Sequence, residues 1–163
     1  MNRLVLTSIL TLALAVPALA ESHDPDMAAV DLTATGDVAK GEKAFKKCQS
    51  CHVVKNDAGE VLAGRAAKTG PNLFAVAGRT AGTLEGYRYG NDLVAAGEAG
   101  LVYDEARFVT YVMDPKAAIQ EVTGDGSARS KMSYKVRKED EAKDLYAFLL
   151  SLAPPAETAE SGS

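Results

Sequence analysis

Cys48-Gln49-Ser50-Cys51-His52 holds both cysteines and one of the two histidines of this 163-residue chain. The spacing C-x-x-C-H is the pattern of covalent c-type haem attachment. Two thiols three positions apart at a helix reach the two vinyl groups of one porphyrin, and the adjacent imidazole then lies beneath its iron. Other uses of paired cysteines fit less well. A dithiol-exchange site expects the pair after a strand, in an alternating strand and helix pattern that this chain does not display. A structural zinc needs four ligands, and the other histidine, His23, lies in an acidic stretch near the start. A plain disulfide would leave His52 unexplained.

Working outward, the flanks of the motif read as helices. Asp37 is placed to cap a helix running to about Cys48, with Val38, Phe45 and Cys48 on related faces. Asp104 is placed to cap another, with Phe108, Tyr111 and Val112 ahead of a stop at Asp114-Pro115. Pro115 suits the first position of a short helix over Lys116 to Glu121. The clearest helix spans Glu139 to Leu152, where Ala142, Leu145, Tyr146, Leu149 and Leu152 recur at steps of three and four. Its first residues, Glu139, Asp140 and Glu141, suit the positive end of the helix dipole. No internal repeat and no alternating strand pattern of useful length is present.

Between these helices lie long glycine-containing connections, notably Val53 to Thr83 and Val122 to Ser133. Structureless connections beyond about 12–15 residues in a compact domain usually serve a functional site or a flexible tail. Helices this few and this short do not make a core by packing on each other alone. The expected fold is therefore all-α, one domain over residues 36–153, with helices and long loops wrapped around one covalently bound haem.

The ends differ from the middle. Met1-Asn2-Arg3, an apolar run from Leu4 to Val16, and Ala18-Leu19-Ala20 read as a secretory signal, removed after Ala20. The run is too short for the roughly 20 residues that span a bilayer. Residues 21–35, with Glu21, Asp24, Asp26 and Asp31, read as a mobile acidic leader, and residues 154–163, from Pro154-Pro155, as a flexible tail. Residues 36–155 carry 17 Lys and Arg against 16 Asp and Glu, so the net charge of −4 comes from the ends. No sequence-wide basic excess points to nucleic acid. The hydrophobic share of 47% and charged share of 25% are globular proportions.

A haem iron held by one histidine needs a sixth ligand, and methionine opposite histidine is the choice of electron-transfer cytochromes. Beyond the signal the chain offers Met27, in the leader, Met113, at the end of an apolar helix, and Met132, in the polar loop Ser130-Lys131-Met132-Ser133-Tyr134. A methionine on an apolar helix is more often core packing. A methionine in a polar loop has little to pack against unless it turns inward, which favours Met132 without excluding the others.

Over residues 36–152 the chain resembles a class I cytochrome c, and within that class the cytochrome c2 group of bacterial periplasms. The resemblance runs through Gly41, Phe45, the Cys48 to His52 motif, Lys68-Thr69-Gly70-Pro71-Asn72-Leu73 and Gly78-Arg79. It continues through Tyr111, Asp114-Pro115-Lys116, Lys131-Met132 and the Leu145 to Leu149 segment. It implies that Cys48 and Cys51 carry the haem thioethers and that His52 and Met132 are the axial ligands of its iron. It further implies that the Pro71 carbonyl orients His52, that Arg79 and Tyr89 contact a propionate, and that the Tyr111 hydroxyl lies near the methionine sulfur. Gly41 would let the first helix approach the last beside Leu145 and Phe148. Tyr103 stands where the family usually has a tryptophan near a propionate, and Leu93 near a position often held by a buried polar residue.

The resemblance also implies a function: a monomeric periplasmic carrier, not an enzyme, cycling iron between Fe(II) and Fe(III). Its donor would be a cytochrome bc1-type complex. Its acceptor would be an acidic surface on a photosynthetic reaction centre, a terminal cytochrome oxidase or a soluble reductase. Lys43, Lys47, Lys68, Lys116, Lys131, Lys135 and Lys138 fall at or near the positions that ring the exposed haem edge in that family. A haem enzyme of peroxidase type would instead need an open iron position and a distal acid-base group. No second histidine occurs in residues 36–153 to serve as that group.

Overall fold

Asp37 opens the first helix, its carboxylate accepting the Lys40 N–H at 2.9 Å. The computed structural model describes residues 30–153 apart from Ala66. The expected signal peptide, the tail from Pro154 and the leader as far as residue 29 lie outside the described residues. In order, the elements are α1 (Val38–Phe45), β1 (Val53–Lys55), β2 (Val61–Gly64), α2 (Asn91–Glu98), α3 (Glu105–Met113), α4 (Pro115–Thr123) and α5 (Glu139–Leu152). The fold is helical, as expected, with one small sheet in addition.

Helix α1 stops at Phe45 instead of running on to Cys48. From there the chain tightens into turns, with Lys47 N–H donating to Ala44 O, Cys48 N–H to Phe45 O and Cys51 N–H to Cys48 O, at 2.8–3.1 Å. These three-residue bonds wind the backbone more tightly than an α-helix. The next departure is β1 with β2, an antiparallel hairpin whose register slips between Val54 and Lys55. Strands of three and four residues are too short for alternation to show in a sequence. Their turn is closed by Asn56, whose side-chain oxygen accepts the Glu60 N–H at 2.9 Å.

Helices α1 and α5 cross at Gly41, where a Cβ would overlap the Asp144 carbonyl and meet the Phe148 Cβ. Beside the crossing, the Phe45 and Phe148 rings pack at 5.5 Å, and the Asp37 N–H donates to the Asp144 carboxylate at 2.7 Å. Helix α3 joins the same layer through Phe108, whose ring lies 5.4 Å from that of the fully buried Tyr146 on α5. Asp114 ends α3 and caps α4 by accepting the Ala117 N–H at 3.2 Å, and Pro115 sits at the first turn, as expected. Helix α4 extends to Thr123, two residues beyond its expected end, and closes on Gly124 in the left-handed conformation. Helix α5 has the expected bounds.

Helix α2 is the element that sequence periodicity does not reveal. It buries only Ala96 and Gly97, so no apolar stripe marks it. Gly97 lies so close to the Ala81 carbonyl that a Cβ would overlap it. Residues 30–35, grouped by sequence with the leader, run against the domain. Thr35 donates its N–H and hydroxyl to the Glu105 carboxylate at 2.7 and 2.8 Å, and Leu32 lies beside Gly78.

Candidate functional site

The turn after α1, the segment 69–90, helix α3, the start of the 129–136 loop and the inner face of α5 enclose a cavity of about 510 Å3. That is within the usual 300–1,000 Å3 of small-molecule and cofactor pockets. Cys48, Cys51 and His52 line it, and so does Met132 from the far end of the chain. Much of the remaining wall is apolar, with Leu73, Val76, Phe108 and Leu149 among its residues.

His52 is held from both sides. Its Nδ1 is 2.9 Å from the Pro71 carbonyl oxygen, and since a carbonyl only accepts, Nδ1 carries the proton and Nε2 keeps its lone pair. Burial lowers its pKa, the Pro71 hydrogen bond opposing, so the neutral, metal-binding form prevails. Gly70 closes the other side. A Cβ there would overlap the imidazole ring, and the Gly70 N–H is fixed to the Cys51 carbonyl at 2.7 Å.

Both cysteines are unpaired and half-buried. Burial, with the Glu141 carboxylate adding to it, pushes the Cys48 thiol up to about 11. Redox-exchange thiols are tuned in the opposite direction. Of the three methionines weighed as sixth ligand, Met113 and Met132 both pack against the hydrophobic core, Met132 but not Met113 lines the cavity, and Met27 lies outside the described residues.

The polar wall holds Arg79, Tyr89, Tyr103 and Tyr111. The Arg79 guanidinium donates to the Asn72 and Phe74 carbonyls at 3.4 and 3.2 Å, and no carboxylate pairs with it among the described residues. Burial lowers its pKa, the Tyr89 and Tyr103 hydroxyls opposing. A half-buried cation without a counter-charge favours an anionic group on whatever fills the cavity. Burial raises the pKa of Tyr103 and Tyr111, whose rings lie 5.4 Å apart, so both hydroxyls stay protonated and able to donate. Ser130, two residues before Met132, accepts the Met132 N–H on its hydroxyl at 3.1 Å. A flat apolar macrocycle with two acidic arms fits such a wall: thiols and a poised imidazole on one side, a thioether on the loop, and donors for the acids.

Comparison with protein-family models finds no match. Individual proteins match clearly. A cytochrome c2 of Rhodovulum adriaticum is 57% identical over 118 residues, which are 72% of this chain and 94% of that protein. The chain belongs to the cytochrome c2 family. A cytochrome c2 of Cereibacter sphaeroides is 45% identical over 140 residues, 85% of this chain and 88% of the relative. Among solved structures, cytochrome c2 from Rhodobacter sphaeroides superposes with a TM-score of 0.71 at 48% identity, over 74% of this chain and 99% of the other. The cofactor of this cytochrome c2 chain is covalent haem c, and its general role is electron transport.

The seven lysines singled out by sequence fall into two groups. Lys43, Lys68, Lys116 and Lys138 are exposed and form no ion pair among the described residues. The others have partners: Lys47 pairs with Glu141 at 2.8 Å, Lys135 with Asp114 at 2.6 Å, and Lys131 donates to the Arg88 and Tyr89 carbonyls at 3.0 and 3.2 Å. Sequence reasoning gave no site role to Gly70, Ser130 or Asp92. For Gly70, its place just before Pro71 was an available signal. Asp92 acts through a contact 37 positions away, the Arg129 N–H, which leaves no local pattern, and Ser130 through a hydroxyl that accepts the nearby Met132 N–H.

Proposed function

We propose that the protein is a periplasmic one-electron carrier and not an enzyme. Its precursor would be exported by the N-terminal signal and cleaved after Ala20. Cys48 and Cys51 would hold the haem through thioethers, and His52 and Met132 would ligate its iron. When bound, the haem supplies an iron that exchanges one electron between Fe(II) and Fe(III). The protein's residues do the rest. The Pro71 carbonyl and Gly70 fix the imidazole plane, as outer partners of metal-bound histidines do. Arg79 would balance the charge of a propionate and Tyr89 would donate a hydrogen bond to it, Tyr111 would stand by the methionine sulfur, and the apolar wall would exclude water. With His52 and Met132 both on the iron, no open position would remain for a substrate, and a thioether ligand would raise the potential.

The proposed donor is a cytochrome bc1-type complex. The acceptor presents an acidic surface, as a photosynthetic reaction centre, terminal oxidase or soluble reductase would. Lys43, Lys68, Lys116 and Lys138 supply the free part of the docking charge, and Lys47, Lys131 and Lys135 the part already engaged within the chain. Among the described residues no helix is long and apolar enough to cross a membrane.

One observation carries this reading: Met132 lines the same cavity as Cys48, Cys51 and His52. The test is the spectrum of the full precursor expressed in a host that matures c-type cytochromes. Sharp low-spin bands, with the weak far-red iron–sulfur band in the oxidised form, are expected. Met132→His should abolish the far-red band, keep the haem covalently attached and lower the reduction potential. A far-red band that survives this substitution would remove Met132 from the iron, and well-folded product without haem would return Cys48 and Cys51 to thiol chemistry.

A further inference from the structure

The segment between α4 and α5, residues 124–138, carries Met132 and has no helix or strand of its own. Its position therefore depends on where its neighbours fasten it. Beyond Met132 it is pinned to the joint of α3 and α4, by Lys135 on Asp114 at 2.6 Å and by the Val136 N–H on the Val112 carbonyl at 2.9 Å. Before Met132 the attachments are of two kinds: Gln120 on α4 donates to the Gly126 and Ala128 carbonyls at 2.7 and 3.1 Å, and a second set reaches α2 and the segment just before it. The Arg129 N–H donates to the Asp92 carboxylate at 2.8 Å, and the Lys131 ammonium leans on the adjacent Arg88 and Tyr89 carbonyls.

The use of Asp92 is unusual for its position. An acid in the first turn of a helix ordinarily serves that helix's own free N–H groups and its dipole. Helix α2 has Gly90 at its N-cap and no side-chain cap, yet the Asp92 carboxylate is turned outward to a backbone N–H 37 positions along the chain. The bond joins the two walls that flank Met132: α2, whose Leu93 lines the cavity, and the loop that holds the sulfur.

We propose that Asp92 is a positioning residue for the sulfur ligand. Its carboxylate clasps the Arg129 amide and so holds the Met132 loop closed over the haem cavity. This rests on the reading of Met132 as the axial ligand. A small ligand that competes for iron must wait for that loop to open, so the clasp sets how readily such a ligand enters. A charge-assisted hydrogen bond is stronger than a neutral one, and its loss should weaken closure on the order of tenfold or more.

The test uses the oxidised holoprotein titrated with imidazole, alongside Asp92→Ala and Asp92→Asn. Asp92→Ala should bind imidazole at least about tenfold more tightly. It should also lose the far-red sulfur–iron band at lower urea, while unfolding read by far-ultraviolet circular dichroism moves little. Asp92→Asn retains an acceptor oxygen and should fall between Asp92→Ala and the parent. Imidazole affinity unchanged in Asp92→Ala overturns the clasp, and so does band loss that shifts only together with global unfolding. Should Asp92→Ala fail to mature, amide exchange in the parent decides: an Arg129 amide protected by the fold supports the clasp, and one exchanging at the unfolded rate overturns it. A parent protein lacking the far-red band would overturn the Met132 reading itself, which is a separate result.

Discussion

The imidazole of His52 is fixed by two neighbours of opposite kind. The Pro71 carbonyl holds Nδ1 by a directional bond of 2.9 Å, and Gly70 leaves the space that the ring occupies. The chemistry of the second neighbour lies in what it lacks. The Gly70 backbone conformation is open to other residues, since its φ is not among the positive values, so a substitution acts through the ring alone. A Cβ would overlap Cε1 and come within 2.6 Å of Nδ1. Gly70→Ala should therefore rotate or displace the imidazole, lowering the yield of low-spin holoprotein while the cysteines remain competent for attachment. The visible spectrum, set against haem-stained protein on a denaturing gel, reads both quantities. An unperturbed low-spin spectrum at full yield would show that the backbone shifts to accommodate the methyl group. At this scale the site was mostly legible in the sequence, because C-x-x-C-H is a local pattern. The role of Gly70 was not, because the approach of its backbone to the His52 ring is settled only once the chain folds back.

Elements with caps and sustained periodicity could be read from the sequence. Asp37, Asp104 and Asp114 each accept an N–H of the helix they open, and α5 repeats its apolar face over Glu139–Leu152. Helix α2 lacks both signals, since its buried residues are Ala96 and Gly97 and its cap is a glycine. The hairpin was hidden by its brevity, and the end of α1 by turns that continue the helical direction with tighter bonds. Asp114 shows how one element boundary gathers several tasks. It ends α3, caps α4 and pairs with Lys135 on the Met132 loop. The Lys135 ammonium first, and the Ala117 N–H after it, hold its carboxyl below the usual range. A carboxylate whose folded pKa is depressed adds stability above its unfolded value of about 3.9, and that stability is lost as pH falls through the lower folded value. Asp114→Asn should thus melt below the parent near neutral pH, with the gap closing as pH drops beneath about 4. Thermal unfolding of the two holoproteins from pH 7 to pH 2 measures this. A gap that stays constant across that range would mean the ionised carboxylate contributes nothing and the cap everything.

Across the whole molecule, charge is distributed more evenly than the sequence total suggests, since residues 36–155 are nearly balanced. Part of the basic set is spent within the fold. Lys47 pairs with Glu141, Lys135 with Asp114 and Lys131 with two carbonyls, whereas Lys43, Lys68, Lys116 and Lys138 are exposed and without ion pairs among the described residues. The acids of α5, Glu139, Asp140 and Glu141, open that helix, so opposite charges lie close together where α1 meets α5. Encounter with the proposed acidic acceptor would then depend on the free lysines, because a charge already neutralised by a partner contributes little field at a distance. Lys116→Glu and Lys68→Glu should each slow association severalfold at low salt, and Lys55→Glu, on the hairpin and outside the proposed docking set, much less. The differences should fade as ionic strength rises and the screening length falls from about 30 Å at 0.01 M toward about 3 Å at 1 M. Rates of electron transfer to an isolated acidic acceptor, followed by stopped flow across that salt range, give the measurement. Equal slowing by Lys55→Glu would mean that net charge alone governs the encounter, and equal slowing at high salt would mean that the lysines act by contact and not by steering.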